Sequence, residues 1–224
     1  MAASLQPRII THTHLDHVGG LENLFYRLAC GDDAQGPPVR LFVPAPIVER
    51  LNGLLGDEPF RLAEGGVNFW DVFQLIPVGA HFWLHDRLFD VFAVSHHGYR
   101  SAFGIALEGY FAYTGDTRPV PEVLARFACH GETVFHDCAL QGNPSHTGID
   151  DLDALYPPAL RERLDGSSED LRGTLETAGL RADDGAAAAS FGSSLAGAAL
   201  IECLAKTMMK GLKSSTAMAL GRPH

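Results

Sequence analysis

The 224-residue chain is long enough for one sizeable domain with a buried core. Hydrophobic residues at 46% and charged residues at 20% are ordinary for a globular protein, and a net charge of −10 disfavours a broad nucleic-acid groove, which needs a basic face. Cys30, Cys129, Cys138 and Cys203 form no CxxC pair and the start MAASLQPRII has no long apolar run, so the chain reads as cytoplasmic, with no secretory leader and no membrane span.

In chain order, PRIITH (7–12) predicts a short buried strand that runs into a histidine-rich turn, relaxed by Gly19 and Gly20. Leu21, Leu24, Phe25 and Leu28 have the spacing of a helix over 21–30. GDDAQGPP (31–38) is a loop, VRLFVP (39–44) a strand and APIVERLNGLL (45–55) a helix. Residues 67–79 fit a short helix followed by a strand, and 81–96 and 103–116 each fit a hairpin. A helix over 120–131, a strand over 132–138 and a helix starting at 148 complete the series. Strands and helices alternate, which implies layered α/β or α+β architecture. The composition changes near residue 166: residues 183–200 are rich in Ala, Gly and Ser, and all the lysines (Lys206, Lys210, Lys213) lie beyond that point. The expected organisation is a domain over 1–165 and a weakly helical or disordered tail over 166–224.

The segment His12-Thr-His14-Leu-Asp16-His17 carries the chemistry. His12 and His14 lie two apart, so an extended backbone turns both rings to one side. Asp16 and His17 follow on a turn and can face a second point nearby. Neutral imidazoles with a carboxylate suit Zn²⁺ and its neighbours, and two such ions a few ångströms apart can polarise a phosphoryl or carbonyl oxygen. A chance cluster of surface histidines is the alternative. It explains neither the flanking strand nor the following Gly-Gly.

HTHLDH followed by Gly-Gly resembles the HxHxDH signature of the metallo-β-lactamase-fold metallohydrolases. The resemblance implies an αββα sandwich of two mixed sheets with outer helices. It also implies three further elements at strand ends: a histidine, a bridging aspartate and a last histidine. The first is His96 or His97 in AVSHHGYRSAFG: His96 fits the strand end and His97 the spacing to Ser101 and Gly104. Asp116 in YFAYTGDTRP looks like the carboxylate that bridges both ions. The Gly-Asp-Thr form is similar to the ribonuclease Z and small phosphodiesterase branch. In TVFHDCALQGNPSHTG, Asp137 stands where that branch has a glutamate, and His146 where it has a proton donor. His136 beside them is as readily a packed strand residue. Arg100 and Arg118 can each hold a phosphate oxygen or make a surface ion pair.

The resemblance covers roughly residues 7–165 and fails at both ends. Only eleven residues precede His12, where the family usually has two or more strands, and between His146 and the terminal His224 no histidine occurs. The expected chain is therefore truncated, its N-terminal sheet incomplete and its second metal position one ligand short. The implied activity is metal-dependent hydrolysis of a phosphodiester by a hydroxide held on two divalent ions, Zn²⁺ or alternatively Mn²⁺. His12, His14, His96 or His97, Asp16, His17 and Asp116 would hold the ions, and Asp16, Asp137 and His146 would be the catalytic residues. The expected substrate is a small anionic phosphodiester. Nucleic acid is possible but disfavoured by charge, no membrane partner is expected, and the oligomeric state is open, a homodimer included. A thioesterase, lactonase or β-lactamase of the same fold, or an inactive fragment, are the alternatives.

Overall fold

The computed structural model describes residues 7–31, 36–56 and 67–164, so the Ala/Gly/Ser-rich tail lies outside the described residues. The chain divides into two compact units between Leu107 and Glu108. In the first, β1 (Arg8–Ile9), β2 (Val39–Pro44) and β3 (Phe73–Val78) form a parallel sheet in that order. Parallel neighbours require crossovers. α1 (Leu15–Val18) and α2 (Gly20–Cys30) occupy the first, and a 3₁₀ turn (Ala45–Ile47) with α3 (Val48–Leu55) and α4 (Phe69–Val72) the second.

The pattern of apolar residues explains these assignments. Val39, Leu41, Phe42 and Val43 are all buried, as befits a central strand covered on both faces. In α2 the buried residues Leu21, Phe25 and Leu28 form one stripe, and in α3 Leu51 and Leu55 do the same one turn apart. The expected strand over 7–12 is shorter than its apolar pattern. Ladder pairing stops at Ile9, and Ile10 adds a single bond, its N–H donating to Phe42 O at 3.0 Å.

The first unit continues through β4 (His81–Leu84), β5 (Arg87–Ala93) and β6 (Phe103–Leu107), paired antiparallel in sequence. β4 and β5 meet in the expected hairpin, closed by the two residues His85 and Asp86 at φ 48° and 60°. Two positive φ values are what a two-residue turn needs to follow strand twist, and Asn-Gly supplies them with the least strain.

The second unit holds β7 (Phe111–Tyr113) parallel to β8 (Thr133–Phe135), with α5 (Pro121–Phe127), α6 (Ile149–Leu155) and α7 (Pro158–Arg161). Glu132 is buried just before β8 and accepts the N–H groups of Gly109 at 2.9 Å and His130 at 2.8 Å, which closes the turn into β7. Helix α5 and strand β8 are both shorter than expected, because Ala128 and the residues after Phe135 leave regular geometry to form loops.

The strained hairpin gives a direct test. His85→Asn with Asp86→Gly relieves two left-handed side-chain residues and is expected to raise unfolding stability by about 1 kcal/mol. Urea titration checks it, and an unchanged midpoint shows that the turn carries no strain.

Candidate metal centre

In the first unit the histidine cluster is built on main chain. Beyond β1, Thr11 O accepts the N–H of Phe103 at 3.0 Å, which fixes the extended segment Thr11–His14 from the β6 side. His12 and His14 therefore lie two apart on one face, as their spacing requires. His14 then begins helix α1, its carbonyl accepting the N–H groups of His17 and Val18 at 3.0 Å each. That single turn returns His17 to His12, with ring centroids 4.0 Å apart.

His96 comes from the loop after β5. It is buried, and its Nε2 lies 3.2 Å from His14 Nδ1. Ring nitrogens of His12, His14 and His96 all fall within 4.8 Å of one another. His97 is exposed and packs edge-on against His14 at 4.7 Å, outside that group of three. Asp16 turns outward: its side chain is 53% exposed and its Oδ2 lies 3.5 Å from His17 Nε2. Three converging imidazoles, two of them buried, make a nitrogen donor set that fits a divalent cation of the zinc type. A concavity of about 660 Å³ elsewhere in this unit, bordered by Glu49, Asn52 and Trp70, contains no histidine.

The second unit has two buried carboxylates of its own. β7 runs into Thr114-Gly115-Asp116-Thr117, and Gly115 takes φ +61°, a left-handed conformation that favours glycine. Asp116 is buried. Asp137, also buried, follows β8 and uses one oxygen twice: Oδ2 accepts the Thr117 N–H at 2.9 Å and the His146 ring at Nδ1 at 2.8 Å. Burial pushes the Asp137 carboxyl up, the bond and charge of His146 pull it down, and the charge of Asp116 pushes it up again. Burial, then Asp116 and Asp137, also hold the Tyr113 hydroxyl protonated far above its usual range. Two buried carboxylates whose charges oppose each other in this way are in keeping with a cation in their neighbourhood.

His136 has a different environment. Its Nε2 lies 2.7 Å from Tyr156 Oη and its Nδ1 2.7 Å from Asp137 O. Tyr156 Oη also accepts the Val120 N–H at 2.7 Å, so the hydroxyl donates to Nε2 and Nδ1–H donates to the carbonyl. Burial lowers the His136 pKa to about 4, against the pull of Asp137 O, and the ring is a neutral packing element at pH 7. The residues that escaped sequence reasoning are supports: Thr114, which accepts the Asp137 N–H at 3.2 Å, Thr117, Thr147 and Tyr156. The threonines adjoin the recognised aspartate and histidine, and that adjacency was the available signal. Tyr156 had none. Arg100 sits exposed at φ +54° in a turn that Ser101 closes by donating N–H and Oγ to Gly98 O.

The low His136 pKa makes stability depend on pH. Between about 6.5 and 4 the unfolded imidazole binds a proton that the folded one refuses, so stability present above pH 6.5 is lost as the pH falls. The loss by pH 5 is about 2 kcal/mol. Denaturant unfolding at pH 7 and pH 5 should show it in the parent chain and lose most of it in His136→Gln.

Comparison with known proteins agrees with the fold. The structure is similar to the metallo-β-lactamase fold protein YhfI from Bacillus subtilis, with a TM-score of 0.50 and 12% identity over 75% of this chain and 69% of that one. The chain has the α/β metallo-β-lactamase fold. A family model described as "Anti-Pycsar protein Apyc1" matches residues 2–166. Relatives of that description include one from Bacillus phage BSP38, 27% identical over 72% of this chain and 67% of its own length. Another, from Paenibacillus xerothermodurans, is 28% identical over 70% of this chain and 64% of its own. A third, from Paenibacillus harenae, is 29% identical over 59% and 55%. The chain thus spans about two thirds or less of these relatives' length.

Proposed function

The chain belongs to the Anti-Pycsar protein Apyc1 family, and from its metallo-β-lactamase fold and its donor groups we propose that it is a metal-dependent phosphodiesterase acting on a small anionic diester. In this reading His12, His14 and His96 would hold one divalent ion, and Asp16, His17 and Asp116 would be the further donors. When bound, such ions polarise the phosphoryl oxygen and acidify the attacking water. Zn²⁺ suits the imidazole-rich set best, with Mn²⁺ the alternative. His96 is preferred to His97 because it is buried within the group of three ring nitrogens.

The observation that carries the phosphodiester reading is the 2.8 Å bond between Asp137 Oδ2 and His146 Nδ1. A phosphodiester expels a strongly basic alkoxide, which needs a proton as it leaves. A thiolate leaves well without one, so a thioesterase gains less from an oriented imidazole. Asp137 fixes the His146 tautomer with Nδ1–H bonded and makes Nε2 the atom that would deliver the proton. The aspartate is one methylene shorter than the glutamate of the ribonuclease Z branch, and the 2.8 Å bond is made all the same. The net charge of −10 favours a small diester over an RNA end.

Hydrolysis of bis(p-nitrophenyl) phosphate tests the reading. We expect activity with Zn²⁺ or Mn²⁺ that chelation removes and metal restores. Asp116→Ala and His14→Ala should lower it at least a hundredfold; His146→Ala should lower kcat by about 10²–10⁴-fold for a diester that expels an alkoxide and far less with the p-nitrophenolate leaving group. Turnover of thioesters or β-lactams alone, or activity indifferent to chelation, would overturn it.

A further inference from the structure

His146 sits on a loop that is closed at several points. Ala139 N–H donates to Thr147 O at 2.8 Å, Ile149 N–H to Ala139 O at 3.0 Å, and Asn143 N–H to His146 O at 3.1 Å. Asn143 Oδ1 accepts the N–H groups of Ser145 and His146 at 2.8 and 3.0 Å. Gly142 and Gly148 approach so closely that a Cβ on Gly148 would lie 2.2 Å from Gly142 N. The loop has its own shape. Besides Asp137, which accepts from both, the loop is joined to the Gly115-Asp116-Thr117 turn by a hydroxyl, Thr147 Oγ1, which donates to Thr117 O at 2.7 Å.

This bond completes a ring. Thr117 N–H donates to Asp137 Oδ2, and His146 Nδ1–H donates to the same oxygen. His146 is covalently joined to Thr147, and the Thr147 hydroxyl returns to Thr117 O. Thr117 and Thr147 are both fully buried. Packing alone would be met by valine, which has the same shape without the cost of a buried hydroxyl.

We infer that Thr147 is a positioning residue: its hydroxyl ties the loop of the proton donor His146 to the turn that carries Asp116. This rests on the proposed role of His146. Asp137 sets the orientation of the imidazole within its own loop. Thr147 sets where that loop stands along the turn, and so where Nε2 meets a substrate held at Asp116. Displacement by about 1 Å is enough to cost up to a hundredfold in rate.

The test compares Thr147→Val, which keeps the shape and removes the donor, with Thr147→Ser, which keeps the donor. With a diester that expels an alkoxide, followed by product release, Thr147→Val should lower kcat by about tenfold or more at unchanged KM, and Thr147→Ser should stay within about twofold of the parent. A second readout needs no turnover: the hydrogen-bonded Nδ1 proton of His146, observed by NMR, should exchange at least tenfold faster in the valine variant and normally in the serine variant. If Thr147→Val lowers only the melting temperature and leaves kcat and the proton signal intact, the residue is merely structural and the inference is overturned. If the parent chain hydrolyses no diester, the proposed function falls, while the proton signal still decides the case for Thr147. Should valine unfold the loop, Thr147→Ala is read in the same way.

Discussion

Two ring nitrogens 3.2 Å apart, His96 Nε2 and His14 Nδ1, set the terms for everything around them. At that distance they share a proton or they share a cation, and two protonated rings would repel strongly. Holding a buried and a half-buried imidazole so close costs solvation and side-chain freedom, and an ordinary core does not require it. The parallel sheet of the first unit, the one-turn helix α1 and the strand β5 all serve to deliver rings to this point. The second unit has a problem of its own, two buried carboxylates whose charges oppose each other.

Much of this was legible in the sequence because it rests on short-range rules. Alternation puts His12 and His14 on one side of an extended segment whatever follows. The helix over 21–30 and the strand over 39–44 are set by apolar spacing, which tertiary packing reinforced. Gly115 announced a turn and takes the left-handed conformation that the approach of Asp116 uses. His96 and His97 could not be separated from sequence, since adjacent residues differ only in which one the loop buries, and burial depends on Ala102 and Phe103 returning alongside Val94 and Thr11.

Other features escaped because their causes are long-range. β1 stops at Ile9 even though the apolar run continues, because beyond it the chain bonds to β2 on one side and β6 on the other without forming a ladder. His136 adjoins the aspartate of the site, yet its ring faces Tyr156, a partner twenty residues away. Adjacency in sequence assigned Asp137 and His136 to the same neighbourhood, and hydrogen bonding gave them different work. The family resemblance reached the metallo-β-lactamase fold. The family reached by comparison is the one described as Anti-Pycsar protein Apyc1, and the resemblance had pointed towards the ribonuclease Z branch.

The main-chain anchoring of the histidine segment has a wider consequence. Ile10 and Thr11 are held through N–H and C=O groups that every residue except proline possesses, and their partners Phe42 and Phe103 contribute backbone atoms too. The scaffold under the ligands is therefore nearly indifferent to side-chain identity. A lineage can replace most of the residues around such a segment, within the bounds of volume and polarity, and the rings it carries still arrive at the same place. Divergence to below 30% identity is then compatible with an undisturbed donor geometry, and innovation is left to the loops that meet the ligand.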